Sequence, residues 1–411
     1  MIELLGRRYA KPSKKTVVFC VDGSAPEYMD AALEDGRMPR LRAALADGGL
    51  RERGLGQMPS FTNPNNVSIV TGRPPSVHGI SGNYYFDRAT GAEVPMNDPR
   101  FLRVPTLFEV MERAGVRTLC VTAKDKLRAM LGAVRDGGRA PISLSAEKAH
   151  EQIVDELGPA PITELLGRKN PSIYDWDISH YAMEMGLALH ARVGAELLYV
   201  SLTDYVQHKE APRGPMATRF YDRFDALLGD YLDAGFVVGI TADHGMNDKT
   251  NAEGAPDVRY LDDALAAAGI SGARVILPIT DPYVVHHGAL GSYATVYVEP
   301  GDEGRAKAAI AALAGVEAVL SREEAASLYE LPADRIGDLV VLGDQSTVLG
   351  KSASYHDLAA VQRGLRSHGG LHERVVPVIV LGPAPRRDEG HPRPVHLSNA
   401  DIFDLVLNGA R

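Results

Sequence analysis

Short runs of β-branched and apolar residues alternate with helical patterns along most of this chain, and several runs end on an acidic residue. TVVFCVD, ELLYVSLTD and FVVGITAD are the clearest runs, and the helical pattern ATRFYDRFDALLGDYLDAG lies between the last two. This alternation predicts an α/β fold in which helices cover both faces of a mostly parallel sheet. Ligands of such sheets bind at the carboxyl ends of the strands, so Asp22, Asp204 and Asp243 are expected at a binding site.

The character of the sequence changes between residues 252 and 337. Segments such as YLDDALAAAG, YATVYVEP and EGRAKAAIAALAG there predict helices packed on a small, separate sheet. We therefore expect a discontinuous core formed by residues 1–251 and 338–411, with a smaller inserted α+β cap domain formed by residues 252–337. The core is expected to resume at DLVVLGD and to close with VVPVIVLG and the helix SNADIFDLVLNG.

The charge balance and the cysteines limit the partners and the compartment. A formal net charge of −9 argues against a general nucleic-acid or membrane-surface binder, since such proteins carry basic patches. No stretch approaches the roughly 18 apolar residues of a membrane span. Cys20 and Cys120 lie in apolar runs typical of buried thiols. We expect a soluble cytoplasmic protein with no nucleic-acid or membrane partner, and whether it forms a homodimer is left open.

Acidic residues and histidines occur at spacings that suit metal binding. Asp204 and His208 are four residues apart and project from one face of a helical turn, while Asp243 and His244 are adjacent at a strand end. Either pair alone is more often structural. Mixed oxygen and imidazole ligands favour zinc, with manganese or iron as alternatives. All candidate ligands fall at predicted strand ends or in the loops that follow: Asp22, Asp204, His208, Asp243, His244 and His368.

The segment PSFTNPNNVSIVTG supplies a candidate nucleophile. Thr62 precedes a Pro-Asn turn and a helix that is expected to start near Asn65 or Asn66. A hydroxyl at that point would face the positive end of the helix, and a nearby divalent ion would lower its pKa. The alternative is that Thr62 only caps the helix, which is a frequent role of threonine.

The order of several short motifs is informative. D-G occurs at Asp22, T-x-P-N begins at Thr62 and V-T-G follows it, H-G-I has Asn83 downstream, and D-x-x-x-H, D-H-G and a late H-G at His368 complete the series. This order resembles the alkaline phosphatase superfamily, in particular its nucleotide pyrophosphatase/phosphodiesterase branch and the phosphonoacetate hydrolases. The resemblance covers nearly the whole chain and implies an alkaline-phosphatase-like core.

The resemblance also implies two divalent metal ions with separate ligand sets. Asp22, Thr62, Asp243 and His244 would bind one ion, and Asp204, His208 and His368 would bind the other. Thr62 would then attack phosphorus as a covalent nucleophile. His372 is an alternative to His368, which is preferred because its H-G-G step matches the family and precedes the strand VVPVIVLG.

Two lysines bear on the substrate. Lys124 and Lys126 follow a predicted strand in VTAKDKLRAML, an element that resembles the phosphonoacetate hydrolases rather than the diesterases. Alternate residues of an extended segment point the same way, so both ammonium groups could converge on one carboxylate, although paired loop lysines are more often solvated. The resemblance implies that Asn83 donates a hydrogen bond to a phosphoryl oxygen, whereas by itself it could be a turn residue. Asn63 departs from the diesterase pattern, which commonly has an aromatic residue there.

These residues lead to one hypothesis and two alternatives. The hypothesis is hydrolysis of the C–P bond of phosphonoacetate, a small anionic substrate, to acetate and phosphate through a phosphothreonine. The first alternative is a phosphodiesterase or nucleotide pyrophosphatase of the same superfamily. The second is a metal-dependent phosphonate-binding protein without turnover.

Overall fold

The computed structural model describes residues 1–135, 137–279, 289–361, 364–388 and 391–410. Its strands are, in chain order, β1 Ile2–Leu4, β2 Arg7–Tyr9, β3 Thr16–Cys20, β4 Leu50–Leu55, β5 Tyr84–Asp87, β6 Ala92–Pro95, β7 Thr118–Thr122, β8 Ile142–Ser145, β9 Leu197–Ser201, β10 Val237–Thr241, β11 Asn247–Asp248, β12 Val258–Tyr260, β13 Arg274–Ile276, β14 Tyr293–Tyr297, β15 Val316–Ser321, β16 Leu339–Gly343, β17 Val348–Gly350, β18 Arg366–Ser367 and β19 Val375–Leu381.

The helices of the same residues are α1 Pro26–Glu34, α2 Pro39–Ala46, α3 Thr62–Thr71, α4 Pro75–His78, α5 Leu107–Arg113, α6 Arg128–Leu131, α7 Ile162–Leu166, α8 Ile178–Val193, α9 Tyr205–Lys209, α10 Pro215–Asp233, α11 Leu261–Ala267, α12 Glu303–Ala311, α13 Arg322–Tyr329 and α14 Ile402–Asn408. No helix in these described ranges has the length and apolar character needed to cross a bilayer.

A seven-stranded sheet forms the centre of the molecule, in the order β4-β19-β10-β3-β9-β7-β8. The five strands from β10 to β8 are parallel, which confirms the predicted α/β architecture. β19 is antiparallel to both of its neighbours, β10 and β4. Because β19 is reversed, it begins at the edge where the parallel strands end, and the loop before it reaches the same edge.

Both faces of this sheet are buried, as expected for a sheet between two helical layers. Val17 and Phe19 of β3 pack into a cluster that includes residues of α8 and α10, while Val18 and Cys20 pack into a second cluster with residues of α3, α5 and α14. Full burial of such side chains contributes about 1.5–3 kcal/mol each. The helix α3, which begins at Thr62, is therefore held against the sheet by one of the two main cores.

A second, four-stranded antiparallel sheet has the order β13-β14-β16-β15. Residues of α11 and α12 pack on one of its faces, and residues of α13 together with Phe61 pack on the other. The Phe61 ring meets Tyr293 edge to face, with ring centroids 5.8 Å apart. The small sheet therefore supports the residue that precedes Thr62.

One expectation about this region was wrong. The run DLVVLGD was assigned to the resumed core, but its strand β16 pairs with β14 and β15 of the small sheet. Its apolar residues resemble those of a core strand, so composition does not distinguish the two sheets. The division into a core and an inserted cap domain at residues 252–337 otherwise stays a prediction, and residues 280–288 of that segment lie outside the described residues.

Candidate functional site

Four of the candidate ligands follow the carboxyl ends of three adjacent parallel strands, β10, β3 and β9. Asp22 follows β3, Asp204 follows β9, and Asp243 with His244 follows β10. Strand ends of parallel neighbours meet at one edge of the sheet, so these side chains converge. The fold places them where the sequence predicted a binding site.

The first group consists of Asp22, Asp243 and His244, all buried, with potential ligand atoms within 4.8 Å of one another. His244 Nε2 lies 3.3 Å from Asp22 Oδ1. Neither of these atoms has a hydrogen-bond partner among the described residues. Buried polar atoms without partners are destabilising, and a cation between the two would satisfy both.

The second group consists of Asp204, His208 and His368, also buried and within 4.8 Å of one another. His208 Nε2 lies 2.9 Å from Asp204 Oδ2, and His368 Nε2 lies 3.8 Å from the same oxygen. His368 reaches the group because its loop precedes the reversed strand β19.

The three histidines of the two groups share one hydrogen-bonding pattern. Each Nδ1 lies within hydrogen-bond distance of a backbone carbonyl oxygen, which can only accept, so Nδ1 carries the proton and the Nε2 lone pair is free for a ligand. The three contacts are His208 to Arg366 at 2.7 Å, His368 to Ser60 at 2.7 Å and His244 to Gly245 at 2.9 Å.

The three buried carboxyl groups of the site have shifted pKa values, because of their burial and of the charged groups that lie close to them. Burial and the neighbouring Asp204 raise the pKa of Asp243 to about 7, and burial with Asp204 and Asp243 raises the pKa of Asp22 well above its usual range. Burial opposes ionisation of Asp204 too, but His208 and Lys124 outweigh it and hold the pKa of Asp204 well below its usual range. The three buried carboxylates carry more negative charge than Lys124 can neutralise. Their oxygen atoms and the imidazole nitrogens therefore fit a divalent cation at each group.

Thr62 is the first residue of α3, so the prediction that this helix starts near Asn65 or Asn66 was wrong. Asparagine has low helix propensity, but Pro64 is tolerated in a first turn because that turn has no internal acceptor for its missing N–H. Phe61 occupies the N-cap position and makes no side-chain capping bond. The capping alternative for Thr62 is therefore not what the structure has, and Thr62 is 8% exposed.

Sequence reasoning missed the role of the asparagines in this turn. The Asn66 side chain donates to Asp243 Oδ2 at 3.2 Å, while Asn65 Oδ1 accepts from Asn399 Nδ2 at 2.9 Å. Asn399 Nδ2 also lies 3.3 Å from the Asp243 carbonyl oxygen. The available signal was three asparagines, unfavourable in a helix, directly after a candidate nucleophile.

Asn83 is buried and contacts the residue next to Thr62. Its Oδ1 accepts the Asn63 backbone N–H at 2.9 Å. An N–H can only donate, so this contact fixes the orientation of the amide. The Nδ2 of Asn83 is therefore the end available to donate to a ligand.

The two lysines differ in position. Lys124 Nζ lies 3.4 Å from Asp204 Oδ1, beside the second group. Lys126 is partly buried within the 3-10 turn Asp125–Leu127, and so it does not lie on an extended segment that would point both ammonium groups the same way. Asp125 anchors this turn, because its Oδ1 accepts from Arg128 at 2.7 Å and from Ser145 at 2.8 Å.

His372 lies away from both groups. Its Nε2 is 3.0 Å from Glu317 Oε2 at a partly exposed position. Of the two late histidines, the structure thus brings His368, and not His372, to the candidate ligands.

A buried ion pair joins the loops that follow the two groups. Lys249 and Glu373 are fully buried, with Nζ and Oε1 2.8 Å apart. Glu373 also accepts from Asn247 Nδ2 at 2.6 Å and from the Gly370 N–H at 3.0 Å. The loop after His244 and the loop that contains His368 are therefore held together, as is also seen in the pairing of β11 with β18.

The fold and these ligand groups define a member of the alkaline phosphatase superfamily. A model of the family described as type I phosphodiesterase / nucleotide pyrophosphatase matches residues 16–371. The chain belongs to that family.

Solved structures extend the comparison. The chain is similar to the phosphonoacetate hydrolase of Sinorhizobium meliloti 1021, with 45% identity and a TM-score of 0.91, covering 100% of this chain and 99% of that one. That enzyme was solved in complex with phosphonoformate and with phosphonoacetate. Murine ectonucleotide pyrophosphatase / phosphodiesterase 5 has the same fold at 17% identity and a TM-score of 0.63, covering 95% of this chain and 94% of that one.

Proposed function

We propose that the protein hydrolyses the C–P bond of phosphonoacetate to give acetate and phosphate. The similarity to the Sinorhizobium meliloti enzyme, at 45% identity over the full chain, carries this proposal. The position of Lys124 supports it, since an ammonium group 3.4 Å from Asp204 lies beside the second ligand group. A small dianionic or trianionic substrate would need such local positive charge in a protein of formal net charge −9.

The proposed reaction uses two divalent ions. Carboxylate and imidazole ligands favour zinc, with manganese or iron as alternatives. Asp22, Thr62, Asp243 and His244 would hold one, and Asp204, His208 and His368 would hold the other. When bound, such ions lower the pKa of a hydroxyl or a water and neutralise charge on phosphonyl oxygens.

Thr62 is the nucleophile of the first step. Its Oγ attacks phosphorus in line, the Oγ–P bond forms and the C–P bond breaks, and the electron pair of the C–P bond stays on the methylene carbon. Asn83 Nδ2 donates to a phosphonyl oxygen, which helps to orient the group for attack.

The leaving group explains the need for lysine. A carbanion is a very poor leaving group, but its charge can spread into the adjacent carboxylate as an enediolate. Lys124, with Lys126, binds that carboxylate and stabilises the charge that develops in the transition state. The methylene carbon then takes up a proton and acetate departs.

Water completes the reaction. It attacks the phosphorus of phosphothreonine 62, the Oγ–P bond breaks, and phosphate and the free hydroxyl are regenerated. The net change is phosphonoacetate plus water to acetate plus phosphate.

A phosphodiesterase or nucleotide pyrophosphatase activity is the second candidate, because the matching family model describes those enzymes. The two are separated by measuring phosphate release from phosphonoacetate and cleavage of an aryl phosphodiester by the zinc-loaded protein. We expect phosphate release that is abolished in Thr62→Ala, with phosphothreonine 62 detected by mass spectrometry after acid quench of the wild type. Diester cleavage without phosphate release would favour the second candidate, and binding of both compounds without turnover would favour a binding protein.

A further inference from the structure

Asn66 connects the backbone of Thr62 to the carboxylate of Asp243. Its Nδ2 donates to the Thr62 carbonyl oxygen at 3.0 Å and to Asp243 Oδ2 at 3.2 Å. The side chain is fully buried in the first turn of α3. A single planar amide therefore contacts both the residue that carries the nucleophile and a candidate ligand of the first group.

The orientation of this amide is determined at both ends. The Thr62 carbonyl can only accept, so Nδ2 must face it. The Oδ1 at the other end accepts from Tyr199 Oη at 2.7 Å and from Ser201 Oγ at 2.8 Å. Tyr199 and Ser201 are alternate residues of β9 and so project from the same face of the sheet. With two donated and two accepted bonds, the amide of Asn66 is saturated.

We propose that Asn66 is a positioning residue for catalysis, which sets the separation of Thr62 from the first ligand group, with Tyr199 and Ser201 preventing rotation of its amide. This inference rests on the proposed function, since it takes Thr62 as the nucleophile. Thr62 lies on α3 and Asp243 follows β10, so a link between separate elements is needed to hold them in register. A displacement of about 1 Å at such a centre can lower the rate about 100-fold.

The link accounts for three polar side chains that are buried beside one of the two apolar clusters of the sheet. Asn66, Tyr199 and Ser201 are each no more than 1% exposed, and Tyr199 lies in the cluster with Phe108 and Phe403. Buried polar groups are retained at a cost in desolvation unless all their bonds are made. Here all bonds of the amide are made, and two of them end on the candidate machinery.

Three full-length variants test the inference. Asn66→Ala removes the link. Tyr199→Phe/Ser201→Ala leaves Asn66 in place but frees its amide to rotate, and touches neither Thr62 nor Asp243. Ser68→Ala is the matched control, because its buried hydroxyl lies on the same helix and contacts His78 Nε2 at 2.8 Å instead of the site.

The readouts are kcat and KM for phosphonoacetate, zinc affinity by competition with a chromophoric chelator, and the urea midpoint of unfolding. We expect Asn66→Ala to lower kcat about 10- to 100-fold with little change in KM, and to weaken one of the two zinc sites about 10-fold. The double variant should show the same pattern more weakly. Ser68→Ala should change the midpoint but neither kcat nor zinc affinity.

Wild-type kcat and zinc affinity in both Asn66→Ala and the double variant would overturn the inference, whatever the change in midpoint. Equal weakening of both zinc sites would also overturn it, since Asn66 contacts a ligand of the first group alone. If the wild type does not cleave phosphonoacetate, the proposed function fails, but the zinc titrations of the same variants still decide the role of Asn66.

Discussion

The imidazole rings of His244 and His368 lie face to face, with centroids 3.6 Å apart and ring planes inclined by 9°. His244 belongs to the first ligand group and His368 to the second. The two groups are therefore in contact through one ring from each. Burial, together with the neighbouring imidazoles of His244 and His208, lowers the pKa of His368 well below its usual range, which favours a neutral ligand.

Removal of either stacked ring should reduce the metal content. We expect the zinc-loaded wild type to retain two ions after dialysis, and His244→Ala and His368→Ala each to retain one or fewer, measured by inductively coupled plasma mass spectrometry. His372→Ala is the control and should retain both ions, because His372 contacts Glu317 instead. Loss of an ion from His372→Ala but not from His368→Ala would reverse the assignment of the late ligand.

The lysines should matter for phosphonoacetate more than for a diester. Lys124→Ala is expected to lower kcat/KM for phosphonoacetate about 100-fold, because the leaving carboxylate loses an ammonium partner. Lys126 lies in a 3-10 turn, and its proposed role rests on the family resemblance. We expect Lys126→Ala to lower kcat/KM for phosphonoacetate as well if Lys126 binds the same carboxylate. Lys148→Ala, a lysine 41% exposed near Glu151, should behave as wild type. Equal losses on an aryl phosphodiester would show that Lys124 acts on the metal group rather than on the substrate carboxylate.

The buried pair Lys249–Glu373 should contribute strongly to stability. Lys249→Met leaves a buried carboxylate without its partner and is expected to lower the free energy of unfolding by about 3–5 kcal/mol in urea titrations of metal-free protein. Adding Glu373→Gln should restore part of that loss. The exposed pair Lys307–Glu324 is the control, and Lys307→Met should cost far less, because solvent screens an exposed ion pair. Similar losses in the two lysine variants would contradict the expected effect of burial.

His78 should make the fold sensitive to acid. Burial, with Arg103 and Arg335 nearby, lowers its pKa from 6.5 to about 3. The unfolded chain therefore binds a proton below pH 6.5 that the folded protein does not, and stability falls by about 1.4 kcal/mol per pH unit below that point. His78→Gln should lose less stability than the wild type between pH 7.5 and pH 5.5. Urea titrations of both metal-free proteins measure this, and parallel losses would refute it.

Much of the site could be predicted because the ligands mark strand ends. Asp22, Asp204 and Asp243 each follow an apolar run, and parallel strands bring such residues to one edge. Spacing suggested the pairs Asp204–His208 and Asp243–His244, whereas the assignment of Asp22 and His368 to the two groups came from the family resemblance. These features are local in sequence, and local patterns are what a single sequence displays.

Other features depend on long-range contacts that no local pattern reveals. The Asn66 amide meets Tyr199 and Asp243, which are 133 and 177 residues away, and Lys249 meets Glu373 across 124 residues. The assignment of β16 to the small sheet was missed for the same reason. The start of α3 was missed because the propensities of TNPNN oppose a helix that the surrounding structure nevertheless imposes.

The reversed strand β19 also dictates when the centre can assemble during synthesis. β4 lies at the sheet edge and is joined to the rest only through β19, although residues 50–55 are translated more than three hundred residues earlier than residues 375–381. His368 lies in the loop before β19, so a ribosome-bound chain that already contains Asp22, Asp243 and His244 still lacks one residue of the second ligand group. The growing polypeptide therefore cannot complete both ligand groups until nearly all of it has been made, and long-range closure of this kind slows folding as well.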